Sequence, residues 1–151
     1  MITELFTYDS QEVINFTLKI ALAVLSGLLI GLEREYKGKN AGLKTNTLVA
    51  VGACVYVLIS LQFYGEEYAD ITRVLSQVVT GMGFLGAGVI LQKEKEDKIK
   101  GLTTAATLWC SGGAGCLAAT AMFVELGILT VVVVVINIVF GYVDDKIEGE
   151  K

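Results

Sequence analysis

The chain has 151 residues, a formal net charge of -4 at neutral pH, and neither histidine nor proline. Counted with glycine and without tyrosine, roughly 61% of the residues are apolar, whereas about 45–50% are apolar in a typical soluble domain. These values exclude an ordinary water-soluble core, a typical nucleic-acid-binding surface, and a site that depends on a histidine base or a histidine zinc ligand.

Five apolar stretches have lengths near the roughly 20 residues that cross a bilayer as a helix. The first continues into a charged segment and has no signal-peptide cleavage pattern, so it is predicted to be a permanent span. The last two are interpreted as two helices joined by a tight turn, since their combined length exceeds one crossing. We therefore expect an all-α integral membrane protein with a single transmembrane domain over residues 1–151. Its five predicted spans cover residues 13–32, 47–63, 74–92, 102–123 and 126–143.

Most basic residues lie in three segments: between spans 1 and 2, between spans 3 and 4, and after span 5. Arg73 is the single basic residue between spans 2 and 3, and Lys19 lies inside span 1. The positive-inside rule therefore predicts an external amino terminus and a cytoplasmic carboxyl terminus. The ten basic residues predicted to be cytoplasmic are Arg34, Lys37, Lys39, Lys44, Lys93, Lys95, Lys98, Lys100, Lys146 and Lys151.

Two similar phrases open spans 2 and 4. The first is Gly42-Leu43-Lys44-Thr45 and the second is Gly101-Leu102-Thr103-Thr104. One interpretation is a parallel repeat of two helical hairpins followed by a fifth helix, as in transporters with internal repeats. The other is that Gly and Thr are simply favoured where a chain reverses and a helix begins.

Glycines are concentrated in spans 1 and 3. Small residues allow membrane helices to approach closely, so helix packing is one interpretation of these positions. The alternative is a locally broken span 3 that lines an ion or substrate route, because several glycines disfavour a continuous helix. The candidate packing or pore-lining residues are Gly27, Gly31, Gly81, Gly83, Gly86 and Gly88.

Polar residues in and beside the spans are the candidates for function. Asp70, Arg73 and Gln77 are spaced to share one helical face at the start of span 3. Glu33 and Arg34 lie at the cytoplasmic end of span 1, where they form either an anchoring charge cluster or an inward-facing site.

No nucleophile triad, phosphate loop or dinucleotide fingerprint is present, so we expect a protein that is not an enzyme and has no cofactor. Magnesium is bound through one or two carboxylates with several waters retained. The available carboxylates, Glu33 and Asp70, are predicted to lie on opposite membrane faces, and the spacing defines no metal site.

Four ordered phrases resemble the amino-terminal transmembrane domain of the MgtC/SapB family. Lys44 stands where the family usually has arginine, and Asp70-Ile71-Thr72-Arg73 lacks the proline that the family tends to have there. Many relatives continue into a soluble ACT-like domain, which we do not expect in a chain that stops at Lys151. The matching phrases are Gly31-Leu32-Glu33-Arg34, Ala41-Gly42-Leu43-Lys44-Thr45, the segment from Gln77 to Gly88, and the segment from Gly101 to Trp109.

The resemblance implies a bacterial inner-membrane protein associated with adaptation to low magnesium and, in some pathogens, with virulence. It also singles out Glu33, Arg34, Asp70, Arg73 and Gln77 together with the span 3 glycines; Thr104, in the matching phrase that opens span 4, completes our set of candidates. One hypothesis is a non-enzymatic regulator whose helices bind other membrane proteins, such as ATP synthase or magnesium transporters. The alternative is a small transporter or channel for magnesium or another cation, working as a homo-oligomer with a glycine-broken span 3 beside its route.

Overall fold

A computed structural model describes residues 9–65, 70–91 and 100–148. All of the regular structure in these ranges is α-helical, which confirms the predicted fold class. The helices are α1 (Ser10–Tyr36), α2 (Leu43–Leu61), α3 (Ile71–Leu91), α4 (Leu102–Ala119) and α5 (Phe123–Glu148).

The distribution of side chains is that of a membrane-embedded bundle. Small residues such as Ala23, Ala50 and Ala114 are fully buried, whereas large apolar residues such as Leu48 and Phe84 are exposed. In the described ranges, α1, α2, α3 and α5 are each long and apolar enough to cross a bilayer. The fourth helix has the largest share of Ser and Thr, and it packs against all four of the others.

The ends of the helices are set by local backbone motifs. After α1, Gly38 adopts a left-handed conformation with φ of 60°, and the amide of Lys39 donates to the carbonyl of Arg34 at 2.9 Å. After α4, Ala121 plays the same part with φ of 59°, and the amide of Met122 donates to the carbonyl of Leu117 at 3.0 Å. Both are Schellman motifs, which satisfy the free carbonyls of a last turn.

The second of these motifs corrects the predicted boundary between spans 4 and 5. The fourth helix ends at Ala119 and the fifth begins at Phe123, whereas the apolar pattern predicted a span to residue 123 and a start at 126. Hydropathy continues through the turn, so it does not register the change of backbone conformation at Ala121.

Of the two interpretations of the span 3 glycines, the locally broken span was wrong. The third helix runs without interruption from Ile71 to Leu91 and contains all four glycines of the segment. Neighbouring helices and a low-dielectric surround favour intact backbone hydrogen bonds, which outweigh the modest intrinsic cost of glycine in a helix.

Contacts between helices define their relative directions. Ser26 of α1 lies near Thr130 of α5, and Lys37, which caps the end of α1, lies near Gly141 of α5, so these two helices run parallel. The second and fourth helices are also parallel, because Asn46 and Ala50 lie near Ser111 and Gly115. We call the end holding the α1–α2 loop and the start of α4 the basic end, and the end holding the starts of α1 and α3 the acidic end.

Glycine permits close approach at two helix interfaces. A Cβ atom at Gly27 would lie 2.6 Å from the Cα atom of Thr47, and one at Gly31 would lie 2.8 Å from the Cα atom of Leu43. A Cβ atom at Gly115 would collide with the carbonyl oxygen of Ala50. The α1–α2 and α2–α4 contacts are therefore backbone against backbone, and they leave no room for a methyl group.

We expect Gly27→Ala and Gly115→Ala each to destabilise the bundle by about 1–3 kcal/mol, the usual cost of overpacking, despite the better helix propensity of alanine. Thermal unfolding in detergent is the measurement. Gly127→Ala is the matched control, because no atom of the described part of the chain lies within 4 Å of its Cβ position. Equal melting temperatures for all three variants would contradict the assignment of close packing.

Candidate functional site

A buried arginine connects α1 to α4 at the basic end. Arg34 is only 4% exposed, and its Nη2 atom donates a 2.8 Å hydrogen bond to Thr104 Oγ1. The start of α4 brings Thr104 to this position, because Gly101 adopts a left-handed conformation with φ of 101° immediately before the helix. Two residues 70 positions apart in sequence thus form one of the strongest polar contacts in the bundle, since hydrogen bonds from charged donors exceed neutral ones.

Glu33 lies beside Arg34 with its side chain 8% exposed. Its Oε1 atom is 3.6 Å from Lys37 Nζ and its Oε2 atom is 3.9 Å from Arg34 Nη1. Neither oxygen accepts a hydrogen bond within the described part of the chain. Gly141 of α5 leaves the space that Lys37 occupies, because a Cβ atom there would collide with Lys37 Nζ. The negative charge of Glu33 is therefore compensated by the positive charges of Lys37 and Arg34, and Lys37 lies against α5.

Short polar side chains continue this cluster toward the middle of the bundle. Ser111 donates to Asn46 Oδ1 at 2.8 Å, and the Asn46 amide donates to the carbonyl oxygens of Ala41 and Gly42. We call this set the basic-end cluster; its members are Glu33, Arg34, Lys37, Asn46, Thr104, Thr107, Ser111 and Asn137. Thr107 Oγ1 is 3.4 Å from Asn137 Oδ1, which is a weak bond at most.

The structure does not bring the span 3 candidates into this cluster. Asp70, Arg73 and Gln77 lie at or near the acidic end, where all three are exposed. The length of α2, about 28 Å at 1.5 Å per residue, separates the start of α3 from the basic end. Six predicted polar candidates therefore form two groups, with Glu33, Arg34 and Thr104 buried together and the other three at the opposite end.

Asp70 begins α3 as a capping residue. Its Oδ1 atom accepts from Thr72 Oγ1 at 2.6 Å, from the Thr72 amide at 3.0 Å and from the Arg73 amide at 3.3 Å. The hydroxyl of Thr72 is the main cause of a pKa for Asp70 below its ordinary value, since these bonds favour the ionised carboxylate.

The glycines of the two spans have different surroundings. Gly27 and Gly31 contact the backbone of α2, and a Cβ atom at Gly86 would lie 3.3 Å from that of Ala105. Among the described residues, nothing lies within 4 Å of the Cβ positions of three others, Gly81, Gly83 and Gly88. Close packing within the chain accounts for the glycines of α1, whereas most of those in α3 face open space.

An open apolar groove runs between α2 and α3. Its volume is about 730 Å³, and one wall is formed by Leu48, Gly52 and Tyr56 of α2. Among the described residues, no atom lies within 4 Å of the Cβ position of Gly52 or of Gly81 on the opposite wall, so each of these positions has space for a larger side chain. We call this feature the α3 groove; its α3 wall consists of Arg73, Val74, Gln77, Val78, Gly81, Met82 and Leu85.

Comparison with known proteins places this architecture in a family. The sequence profile of the MgtC family matches residues 20–146, which include α2, α3, α4 and most of α1 and α5. The chain belongs to the MgtC family. Recognition from the four sequence phrases is therefore confirmed.

Individual relatives agree with this assignment. Protein MgtC of Salmonella typhimurium strain LT2 is 39% identical over 143 residues, covering 90% of this chain and 60% of the relative. Protein MgtC of Brucella abortus strain 2308 is 44% identical over 118 residues, covering 78% and 48% respectively. An uncharacterized protein of Haemophilus influenzae is 44% identical over 146 residues, covering 91% and 59%. The chain thus spans about half to three fifths of the length of these relatives, and no solved structure matches it significantly.

In this MgtC family site, a buried negative charge is compensated by neighbouring positive charges. The described residues contain no group of three or more Cys, Asp or Glu side chains able to hold a metal ion. The buried carboxylate of Glu33 is flanked by Lys37 and Arg34, whose charges oppose the entry of a cation. The arrangement is suited to holding α1, α4 and α5 together at the basic end.

Sequence reasoning missed several members of the MgtC family core. Asn46 resembles any polar residue near a helix start, and its role depends on the distant Ser111. The buried pair of Ser26 and Thr130, 2.7 Å apart, links α1 to α5 in the same way. The available signal is the rarity of Asn, Ser and Thr in otherwise apolar spans, which indicates contact between helices but not the partner.

We expect Thr104→Val to lower the free energy of unfolding by about 1–3 kcal/mol, because the buried Arg34 guanidinium loses its acceptor and nearly all of the side-chain volume is kept. Chemical unfolding in mixed micelles measures the change. The exposed Thr103 provides the matched control, Thr103→Val. If both variants unfold alike, the Arg34–Thr104 bond does not stabilise the bundle.

We also expect the pKa of Asp70 to lie below its ordinary value and to rise in Thr72→Val, because the main hydrogen bond to the carboxylate is removed. A lowered folded-state pKa means that the cap stabilises α3 above the ordinary aspartate range and is lost as the pH falls through the lowered value. Carbon-13 NMR titration of the carboxyl group is the measurement. An unchanged pKa in Thr72→Val would contradict this account of the cap.

Proposed function

We propose that this MgtC family protein is a non-enzymatic regulator in the bacterial inner membrane, which acts by binding other membrane proteins through the α3 groove. One observation carries the proposal. The buried side chains of Arg34, Asn46 and Ser111 are hydrogen-bonded to other residues of the bundle, whereas Gly81 and the α3 groove that it lines are uncovered in the described part of the chain.

The character of the basic-end cluster supports regulation in preference to transport. A cation route needs polar groups that converge on a wet cavity and lead across the membrane. Here Arg34, Asn46 and Ser111 are buried and bonded to other helices. The exposed residues Arg73 and Gln77 lie toward the other end of the bundle, so the described polar groups form no continuous line between the two.

The α3 groove has the features expected of a surface that receives a membrane helix. Only 6% of the α3 membrane window is buried, against 33% for α2, so α3 has the larger uncovered surface. Gly52 and Gly81 allow a partner backbone to approach, which is the principal way that helices associate in lipid. Arg73 and Gln77 at one end of the groove supply polar contacts that can select the partner.

Magnesium limitation is the proposed setting. The resemblance of the four sequence phrases implies this condition, and it implies ATP synthase or magnesium transporters as partners. Membership of the MgtC family and relatives called Protein MgtC support an MgtC-like membrane role.

Photo-crosslinking in cells grown at low magnesium tests the proposal. A photoreactive residue replaces Leu85 in the α3 groove or, as a control, the exposed Val135 of α5. We expect Leu85 to give a discrete adduct with another membrane protein and Val135 to give none. Identical products at both positions, or a cation flux above background from the purified chain in liposomes, would overturn the proposal.

Two leucine substitutions sharpen this experiment. Gly81 lines the α3 groove, whereas Gly83 points about 200° around the helix from it, and both Cβ positions have open space. We expect Gly81→Leu to fill the groove and reduce the Leu85 adduct about tenfold without lowering the melting temperature. Gly83→Leu should retain the adduct; loss of crosslinking in both variants would argue against the groove as the binding surface.

A further inference from the structure

A second groove lies between α1 and α2 at the acidic end. Its volume is about 570 Å³, and its wall is mainly apolar, with Phe16 of α1 and Leu58 and Ile59 of α2. Polar side chains are confined to Glu12, Asn15, Lys19 and Gln62. We call it the outer groove.

The two charged residues are placed along one face of α1. Glu12 and Lys19 are seven residues apart, which is about two helical turns and a rise of about 10.5 Å. Side chains of a helix lean toward its amino terminus, so the long stem of Lys19 carries its ammonium toward Glu12 and the acidic end. In the described part of the chain neither residue forms an ion pair, so both charges are available to a ligand in the groove.

We propose that the outer groove binds a phospholipid whose headgroup carries a primary amine. Lys19, with Asn15 and Gln62, supplies donors to the phosphate, and Glu12 accepts from the lipid ammonium nearer the aqueous surface. Phe16, Leu58 and Ile59 supply an apolar wall for an acyl chain.

Charge complementarity selects this lipid class among the membrane components. An anionic headgroup without an amine would satisfy Lys19 but would leave Glu12 uncompensated beside added negative charge. A quaternary ammonium carries the charge but has no N–H group to donate to the carboxylate. A headgroup with both a phosphate and a primary amine satisfies both ends of the groove.

Native mass spectrometry of the detergent-purified full chain tests this assignment. Equimolar phosphatidylethanolamine, phosphatidylcholine and phosphatidylglycerol with identical acyl chains are the probes. We expect phosphatidylethanolamine to be retained about tenfold more than either competitor, because charge-assisted hydrogen bonds at both ends favour it. Equal retention of the three lipids would overturn the proposal.

Charge-neutralising variants assign the contacts. Lys19→Gln should reduce retention of phosphatidylethanolamine about tenfold, and Lys19→Arg should restore most of it. Glu12→Gln should remove the preference over phosphatidylcholine and increase retention of phosphatidylglycerol. The exposed residues Lys39 and Glu125 lie outside the groove. Lys39→Gln and Glu125→Gln are therefore matched controls, and they should leave the retention of all three lipids unchanged.

A water-soluble competitor separates a lipid site from a site for free phosphate compounds. Glycerophosphoethanolamine, which has the headgroup but no acyl chains, should fail to displace the lipid at equal concentration. Displacement by this compound, or lipid retention that neither Lys19→Gln nor Glu12→Gln alters, would overturn the proposed site.

Discussion

Direct backbone contact between helices at small residues is the constraint on which the rest of the bundle depends. Gly27 and Gly31 place α1 against α2, and Gly115 places α4 against Ala50 of α2. At these separations the short side chains of Asn46 and Ser111 can reach each other across the interface. Lipid supplies little hydrophobic force between helices, so close packing and buried hydrogen bonds hold them together.

This packing divides the molecule into a part in which polar side chains are buried, called the sealed part, and a part with uncovered grooves, called the open part. The sealed part contains α1, α2, α4 and α5, where Arg34 and its neighbours compensate one another around the basic end. The open part includes two grooves that border α2, the outer groove toward α1 and the α3 groove toward α3. Their chemistry differs, because the outer groove has opposite charges at its polar end and the α3 groove has glycine at its centre.

The separation of the buried polar core from the open grooves bears on the function of this MgtC family protein. Buried polar groups within a membrane are ordinarily candidates for transport, but here the positive charges of Arg34 and Lys37 beside Glu33 oppose cation entry. The hydrogen bond from Arg34 to Thr104 joins α1 to α4. The two proposals therefore assign binding to the surfaces that the core leaves uncovered, with a membrane protein at the α3 groove and a phospholipid at the outer groove.

The sequence by itself determined the all-helical membrane fold, because apolar stretches of bilayer length have few alternatives in lipid, and its four phrases identified the family. It also identified Glu33, Arg34 and Thr104, but it could not show that Arg34 bonds Thr104 while Asp70 stays at the other end. Hydropathy predicted a turn between the last two spans but placed it after residue 123 instead of at Ala121, and it left the continuity of α3 undecided. Only the tertiary structure decided which glycines are packed and which are open. The packing of a glycine depends on its distance to the backbone of a neighbouring helix, and the spacing of residues along one helix does not determine that distance.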